Sequence, residues 1–279
     1  LHLLSRRQRQ MCIRDRVRTA VDDAGGVPGQ YILTGSNTVD KSQIRHTGTG
    51  RITRMKMYPM SLWESLESSG EISIHELFYN PNYDIDGATS KLDIPELLYV
   101  ACRGGWPATL QMKPKAAMLI AKDYVNSVCE NDISAVDGRQ RNPKVARQIL
   151  RSYARNISTL AKKTSILADV TASEDITLTM NTYDDYISAL ERLFVIQDID
   201  AWCPAIRSKT SLRSAPKRCF VDPSIAVAAM NISVEEMETQ LKTFGFIFEQ
   251  MCIRDLKIYT ADFLSLIHIS EPTRRVVIS

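Results

Sequence analysis

The sequence has 279 residues, of which 44% are hydrophobic and 24% are charged. This is the composition of a globular protein, and it excludes a wholly disordered chain. No apolar run approaches the roughly 18–20 residues that a membrane span requires, and no apolar stretch with a cleavage site indicates a secretory signal. We therefore expect a cytoplasmic protein of one large or two ordinary domains, with no membrane contact.

The net charge of +3 is concentrated at the two ends of the chain. Residues 6–16 (RRQRQMCIRDR) and 264–279 (LSLIHISEPTRRVVIS) are both rich in arginine, so the residues between them carry a net negative charge. Both stretches resemble translated sequencing-adapter read-through. We expect residues 1–16 and 263–279 to be non-native ends of an internal fragment of a longer protein. A native basic N-terminal arm is the alternative.

The first elements along the chain predict a helix and then strands. Residues 17–25 have the pattern of a helix end that stops at glycine. Residues 30–34 (QYILT) are rich in β-formers and lie between glycines, which predicts a buried strand of a parallel sheet, and residues 51–58 predict a second strand. Helical patterns follow at 61–68, 73–79, 93–102 and 115–130.

Three helices and then a β-hairpin are predicted between residues 143 and 222. The helices are predicted from the spacing of Val145, Ile149, Leu150, Tyr153 and Ile157, from residues 159–169, and from a capping box of Thr182 and Asp185. The hairpin joins residues 195–202 to 218–222, and this order is typical of a winged helix-turn-helix. A second capping box, of Ser233 and Glu236, begins a helix that extends to about residue 252.

No stretch has the residues of a complete active site. The glycine-containing stretches at 46–51 and 87–91 lack the GK[ST] ending of a phosphate-binding loop, so both are interpreted as turns. Six cysteines without a CxxC pair and four scattered histidines have no metal-ligand spacing, so no metal site is expected.

Long motifs nevertheless carry a family resemblance. They are YILTGSN (31–37), HTGTGRITRMKMYPMSLWES (46–65), RGGWPATL (103–110) and the stretch from ALERLFVIQDIDAW to FVDPSIAVAA (189–229). Together they resemble bacterial predicted AAA-type ATPases that carry the C-terminal domain of unknown function 4143. The resemblance implies a mixed α/β but mostly helical fold. Its parts would be a remnant of a P-loop ATPase sheet (17–62), a helical lid or linker (63–130) and a winged-helix-containing domain (131–262).

The resemblance also implies a nucleotide site in the full-length parent. Ser36 or Asn37 would be a polar sensor near the γ-phosphate of ATP, and Arg51 and Arg54 would contact nucleotide phosphate or a neighbouring site. An ordinary turn and solvated arginines are the alternative. The phosphate-binding loop and the Mg²⁺-binding acid would precede residue 17, so we expect this chain to be inactive and to hold neither ATP nor Mg²⁺.

Two groups of basic residues are candidates for binding nucleic acid or an acidic protein partner. One lies at the tip of the predicted wing and the other forms a stripe on a helix: Arg207, Lys209, Arg213, Lys217 and Arg218, and then Arg147, Arg151 and Arg155. Acidic residues on the third predicted helix would repel the phosphates of DNA. The alternative therefore stays open that these basic residues are solvated or make contacts within the protein. The hypotheses are therefore a fragment of an ATPase, or a DNA-binding or protein-interaction module independent of nucleotide.

Overall fold

The computed structural model describes residues 16–17, 19–25, 27, 29–35, 55–172, 176–201 and 214–270, and of residues 262–270 only the backbone. The chain divides into two compact units, Leu1–Met57 and Tyr58–Ser279. Where it is described, the chain is mostly helical. None of the helices in those ranges is long and apolar enough to cross a membrane.

In the first unit, the predicted helix end is present but the predicted strand is not. The described positions between 16 and 23 are helical, and Gly25 follows with a φ of 77°, which glycine adopts freely. Residues 31–35 have no regular structure, and Ile32 is 89% exposed. The described residues of the second predicted strand, 55–58, have no regular structure either. A strand requires a neighbour to pair its backbone groups, and no strand is found among the described residues. The predicted sheet remnant is therefore not observed.

Side-chain caps begin the first two helices of the second unit, α1 (Ile74–Tyr79) and α2 (Ile94–Arg103). Ser73 accepts a backbone N–H of α1, and Asp93 forms a capping box at the start of α2. Both helices confirm the sequence patterns. The pattern at residues 61–68 was wrong, because these residues form turns. α1 buries none of its side chains, whereas α2 buries one face.

The next helices follow the predicted order. They are α3 (Pro114–Ser127), α4 (Pro143–Arg155), α5 (Lys163–Thr171) and α6 (Met180–Arg192). α3 continues through a π-helical turn, Val128–Asp132, before the chain reaches α4. The cap of α6 is Thr179, whose side chain accepts the N–H of Thr182, so the predicted capping box lies three residues too late.

The last helices are α7 (Pro223–Met230), α8 (Val234–Thr239) and α9 (Leu241–Ser270). The predicted capping box of Ser233 and Glu236 is present at the start of α8. A single helix was predicted from this capping box to about residue 252. The structure has two helices there, α8 and α9, because the chain leaves the helical conformation at Gln240.

One hydrophobic core extends through the second unit from α2 to α9. α4 contributes Ala146, Ile149, Leu150 and Tyr153, whose spacing of three and four residues places them on one buried face. Fully buried side chains of other elements pack with them, among them Leu98, Leu190, Phe220, Ile225 and Ile247. The segments predicted as a lid and as a winged-helix domain therefore share this core.

The predicted hairpin is an antiparallel pair of segments without strands. Residues 195–199 and 217–221 meet in two isolated bridges, Ile196 with Phe220 and Ile199 with Lys217. The Gln250 side chain of α9 bonds both backbone groups of Phe220, where a third strand would pair. Three helices followed by this pair have the predicted order, but the structure shows no wing in the residues that it describes.

Candidate functional site

Seven of the predicted site residues lie outside the described residues. They are Ser36, Asn37, Arg51, Arg54, Arg207, Lys209 and Arg213. Their proposed roles stay predictions. Among the described residues, no group of three or more His, Cys, Asp or Glu side chains could hold a metal ion.

Arg218 is buried, with 3% of its surface exposed. Its guanidinium donates to Asp198 Oδ2 at 2.5 Å and to the Ala161 carbonyl at 2.8 Å, and its Cζ lies 5.8 Å from the centre of the Tyr153 ring. The Tyr153 hydroxyl donates to the other oxygen of Asp198. A side chain enclosed in this way has an intramolecular role in the structure and presents no surface to an external phosphate.

The other described basic candidates lie nearer the surface. Lys217 forms an ion pair with Glu249 of α9. On the outer side of α4, Arg147 pairs with Glu130, and Arg155 pairs with Asp169 at 3.0 Å. Arg151, one turn from each, is exposed and makes no ion pair with any described residue. Ion pairs of exposed side chains contribute only about 0–1 kcal/mol, so an external anion could compete for these arginines.

A buried polar cluster, absent from the sequence analysis, joins four distant segments of the second unit. Its centre is Asp222, the N-cap of α7, which is fully buried. Asp222 accepts the Gly105 N–H at 3.0 Å and the Ser224 hydroxyl at 2.6 Å. The same hydroxyl accepts the Trp106 indole N–H at 2.8 Å. The Asp222 cluster, as we call it, has seven members: Leu62, Gly105, Trp106, Asp222, Ser224, Arg254 and Asp255.

Arg254 supplies the positive charge of the Asp222 cluster. It bonds Asp222 at 2.9 Å and Asp255 at 2.7 Å, and 2% of it is exposed. Asp255 in turn accepts the Leu62 N–H at 3.0 Å. Two carboxylates and one guanidinium are buried together here, and each is bonded by several donors or acceptors, as buried charges require.

Two consecutive glycines allow the close approach at this cluster. A Cβ at Gly104 would lie 2.3 Å from Asp222 Oδ1, and one at Gly105 would lie 2.2 Å from the Met60 carbonyl oxygen. Gly104 also has a φ of 76°. The glycine pair in RGGW and the aspartate in FVDPS were the available sequence signals, but the sequence did not show that they meet.

A groove of about 540 Å³ lies beside the Asp222 cluster, between α2, α3, α7 and α8. Its floor is apolar and comes from all of these helices except α8: Tyr99, Cys102, Met118, Ala121, Val227 and Ala228. Burial, and then the charge of Glu235, raises the pKa of Cys102 to about 12. The Cys102 thiol is therefore protonated at neutral pH, and it contributes to the floor as a small apolar group.

Charged side chains border the groove on opposite sides. Lys115 and Lys122 lie on α3, and Glu235 and Glu236 lie in the first turn of α8. The Glu236 side chain accepts the Ser233 N–H in the capping box of α8. Neither lysine forms an ion pair with a described residue, but Lys115 lies near enough to Glu235 for the two charges to interact. An apolar floor with charges at its edges can hold an amphipathic partner, which would bury its apolar side and keep its charges at the surface.

The comparisons with known proteins give a family for most of this second unit. The sequence model of a domain of unknown function (DUF8612) matches residues 94–236. The search of curated proteins and the search of solved structures each found no match. Every residue that lines the groove lies within 94–236.

The same comparisons overturn the resemblance drawn from the motifs. They find no AAA-type family and no domain of unknown function 4143 in the chain, so that prediction was wrong. In the structure, RGGW and FVDPS contribute to the Asp222 cluster, which is a packing role and specifies no nucleotide chemistry. The sensor residues, ATP and Mg²⁺ were implied by that resemblance alone. Because the DUF8612 match covers more than half of the 279 residues, the chain belongs to the DUF8612 family.

Proposed function

We propose that this chain functions by binding another protein, and that an acidic amphipathic segment of that protein occupies the groove. The supporting observation is the groove itself, an apolar floor bordered on α3 by Lys115 and Lys122, neither of which forms an ion pair with a described residue. Glu235, which borders the groove on α8, interacts with Lys115 at longer range. All its lining residues belong to the region that the family shares.

The spacing of the two lysines indicates the form of the partner. Lys115 and Lys122 are seven residues apart on α3, which is about two turns or 10 Å along the helix axis. Carboxylates seven residues apart on a partner helix would reach both lysines, while the apolar residues between them would contact the floor. This is the arrangement of an amphipathic helix in a groove.

A pair of designed peptides tests the proposal. One is an amphipathic helix with leucines on one face and two glutamates seven residues apart, and its twin has lysines in place of those glutamates. In fluorescence anisotropy we expect the first to bind the full chain with an affinity in the micromolar range, about −8 kcal/mol, and the twin to bind at least tenfold more weakly.

The matching protein variants locate the binding site. Lys115→Glu with Lys122→Glu should reverse the preference between the two peptides. The control, Lys162→Glu with Lys242→Glu, changes the charge equally on exposed lysines that do not line the groove and should leave the preference unchanged. Equal effects of both double variants would show attraction to net charge alone and would contradict the proposal.

Nucleic-acid binding by α4–α6 and the antiparallel pair is a second candidate function. The order of these elements supports a winged-helix-like unit, and the observation that favours it is the outer stripe of α4, where Arg151 has no ion pair with a described residue. Arg207, Lys209 and Arg213, at the tip of the wing predicted from the sequence, would extend this surface.

Salt dependence tests the nucleic-acid candidate. On a duplex, log K should fall against log salt with a slope of about −0.9 per phosphate contact, whatever the sequence. Replacing Arg207, Lys209 and Arg213 by alanine should weaken binding on every duplex and flatten this slope. The measurement requires a chain without residues 1–16 and 263–279, because the basic N-terminus would itself bind a polyanion. Absence of binding at about 50 mM salt would reject this candidate.

A further inference from the structure

The second unit contains a segment whose chemistry is complementary to the groove. Residues 71–86 (EISIHELFYNPNYDID), here called the acidic segment, contain four carboxylates and no lysine or arginine. The carboxylates are Glu71, Glu76, Asp84 and Asp86. The opposite sign is found on the α3 side of the groove, at Lys115 and Lys122.

The acidic segment also exposes apolar side chains. α1, at its centre, buries none of its six residues, and Leu77 and Phe78 are 48% and 75% exposed. Ile72, Tyr79 and Ile85 are exposed as well. Contiguous exposed apolar side chains with charged neighbours are typical of protein contact surfaces.

We infer that the acidic segment of one copy of this chain occupies the groove of a second copy. This inference rests on the proposed function and names the partner as the same protein. Leu77 and Phe78 would contact the apolar floor. Glu76 of α1 and Glu71, which lies before the helix, would face Lys115 and Lys122, so this segment does not have the seven-residue helical spacing of the designed peptide. Charge complementarity supports this occupant, because the acidic segment contains carboxylates and no lysine or arginine, whereas Lys115 and Lys122 border the floor. Lys122 forms no ion pair with a described residue, and Lys115, which interacts with Glu235, would exchange that contact for one with the partner.

The positions of the two surfaces determine the symmetry of the contact. No residue of the acidic segment lines the groove, so each copy has a donor surface and a separate acceptor surface. A contact between two different surfaces is heterologous, and it leads to rings or open chains of copies. An interface based on one short helix is small, so we expect dissociation constants in the micromolar range, roughly 1–100 µM.

Two variants of the full chain each remove one side of the contact. Leu77→Asp with Phe78→Asp changes only the donor, and because α1 is not part of the core, the fold should persist. Lys115→Glu with Lys122→Glu changes only the acceptor, at exposed positions. In analytical ultracentrifugation, the wild-type chain should exceed the monomer mass at about 100 µM, and each variant should stay monomeric with association weakened at least tenfold.

A mixture of the two variants provides the decisive test. The donor variant retains an intact groove and the acceptor variant retains an intact acidic segment, so together they can form one contact. We expect a one-to-one dimer from the mixture and monomers from each variant alone. The control, Lys162→Glu with Lys242→Glu, should associate as the wild type does. A monomeric wild type, an associating single variant or a mixture without dimer would each overturn the inference.

Peptide binding distinguishes this inference from the proposed function. The donor variant should still bind the designed acidic peptide, because its groove is unchanged. If that peptide binds while the wild-type chain stays monomeric, the groove serves a different acidic partner and only the self-association is rejected. If neither occurs, both proposals fail.

Discussion

The guanidinium of Arg254 is enclosed by the protein and bonds two carboxylates, those of Asp222 and Asp255. Removing it leaves both carboxylates buried without a cation, a change that costs about 3–5 kcal/mol. We expect Arg254→Met to lower the free energy of unfolding by about this amount in urea titrations. Arg155→Met removes an exposed ion pair and should cost less than about 1 kcal/mol. Equal losses would contradict the role given to the Asp222 cluster.

Asp137 couples the stability of the fold to pH. Arg141 donates hydrogen bonds to both of its oxygens, and these bonds lower the pKa of Asp137 from 3.8 to about 2. Because the folded pKa lies below the unfolded one, the stabilisation is complete above about pH 4 and is lost as the pH falls through 2. This stabilisation contributes about 2 kcal/mol to the free energy of unfolding.

The variant Asp137→Asn tests this coupling. The difference in unfolding free energy between wild type and variant should be largest near pH 6 and should shrink by about 2 kcal/mol at pH 2, measured by urea titration at each pH. Asp123→Asn, at an exposed position of α3, is the control for the loss of a carboxylate elsewhere on the surface. A constant difference for Asp137→Asn would reject the mechanism.

At the scale of elements, α2 ends at a glycine that no other residue can replace without strain. A Cβ at Gly104 would lie 2.3 Å from both Asp222 Oδ1 and Ser224 Oγ, which the cluster holds in place. The positive φ adds to this cost, so Gly104→Ala should lose about 3 kcal/mol, or roughly 6–12 °C in Tm. Gly138 has a φ of 82° but no neighbour within 4 Å of its Cβ position. Gly138→Ala should lose only about 2–4 °C in the same thermal scan, and equal losses would exclude the steric explanation.

The helices could be predicted from the sequence because their signals act within a few residues. The capping boxes at Asp93 and Ser233 and the apolar spacing of α4 are examples. The prediction of a strand at 30–34 was wrong for the opposite reason. Residues that favour strands form one only when another strand is present to pair with them.

The candidate site was only partly accessible to sequence analysis. Lys115 and Lys122 share a face of α3 by helical spacing, which the sequence contains. The opposite wall of the groove comes from α7 and α8, about a hundred residues later, and only packing brings it there. In the same way Gly105 and Asp222 are 117 residues apart in the chain and meet at 3.0 Å.

At the scale of the whole molecule, the region matched by the family model is shorter than the part of the second unit that the Asp222 cluster holds together. The Asp222 cluster includes Leu62 before residues 94–236, and Arg254 and Asp255 after them. We expect a fragment of residues 94–236 to be expanded and to unfold without cooperativity, because Asp222 would be buried without a cation. Residues 58–261 should unfold in one cooperative transition, measured by near-ultraviolet circular dichroism in urea. Cooperative unfolding of the shorter fragment would contradict this.

The position of Arg254 in the chain also determines when the protein can become native during its synthesis. Asp222 is made 32 residues before the arginine that neutralises it. At about 5–20 residues per second, this separates the two by roughly 2–6 s. Throughout that interval the start of α7 has a carboxylate that cannot be buried, so the apolar faces of α2, α4 and α7 cannot close around it. The nascent chain therefore cannot complete this core before α9 is made, and its earlier helices stay accessible to chaperones until then.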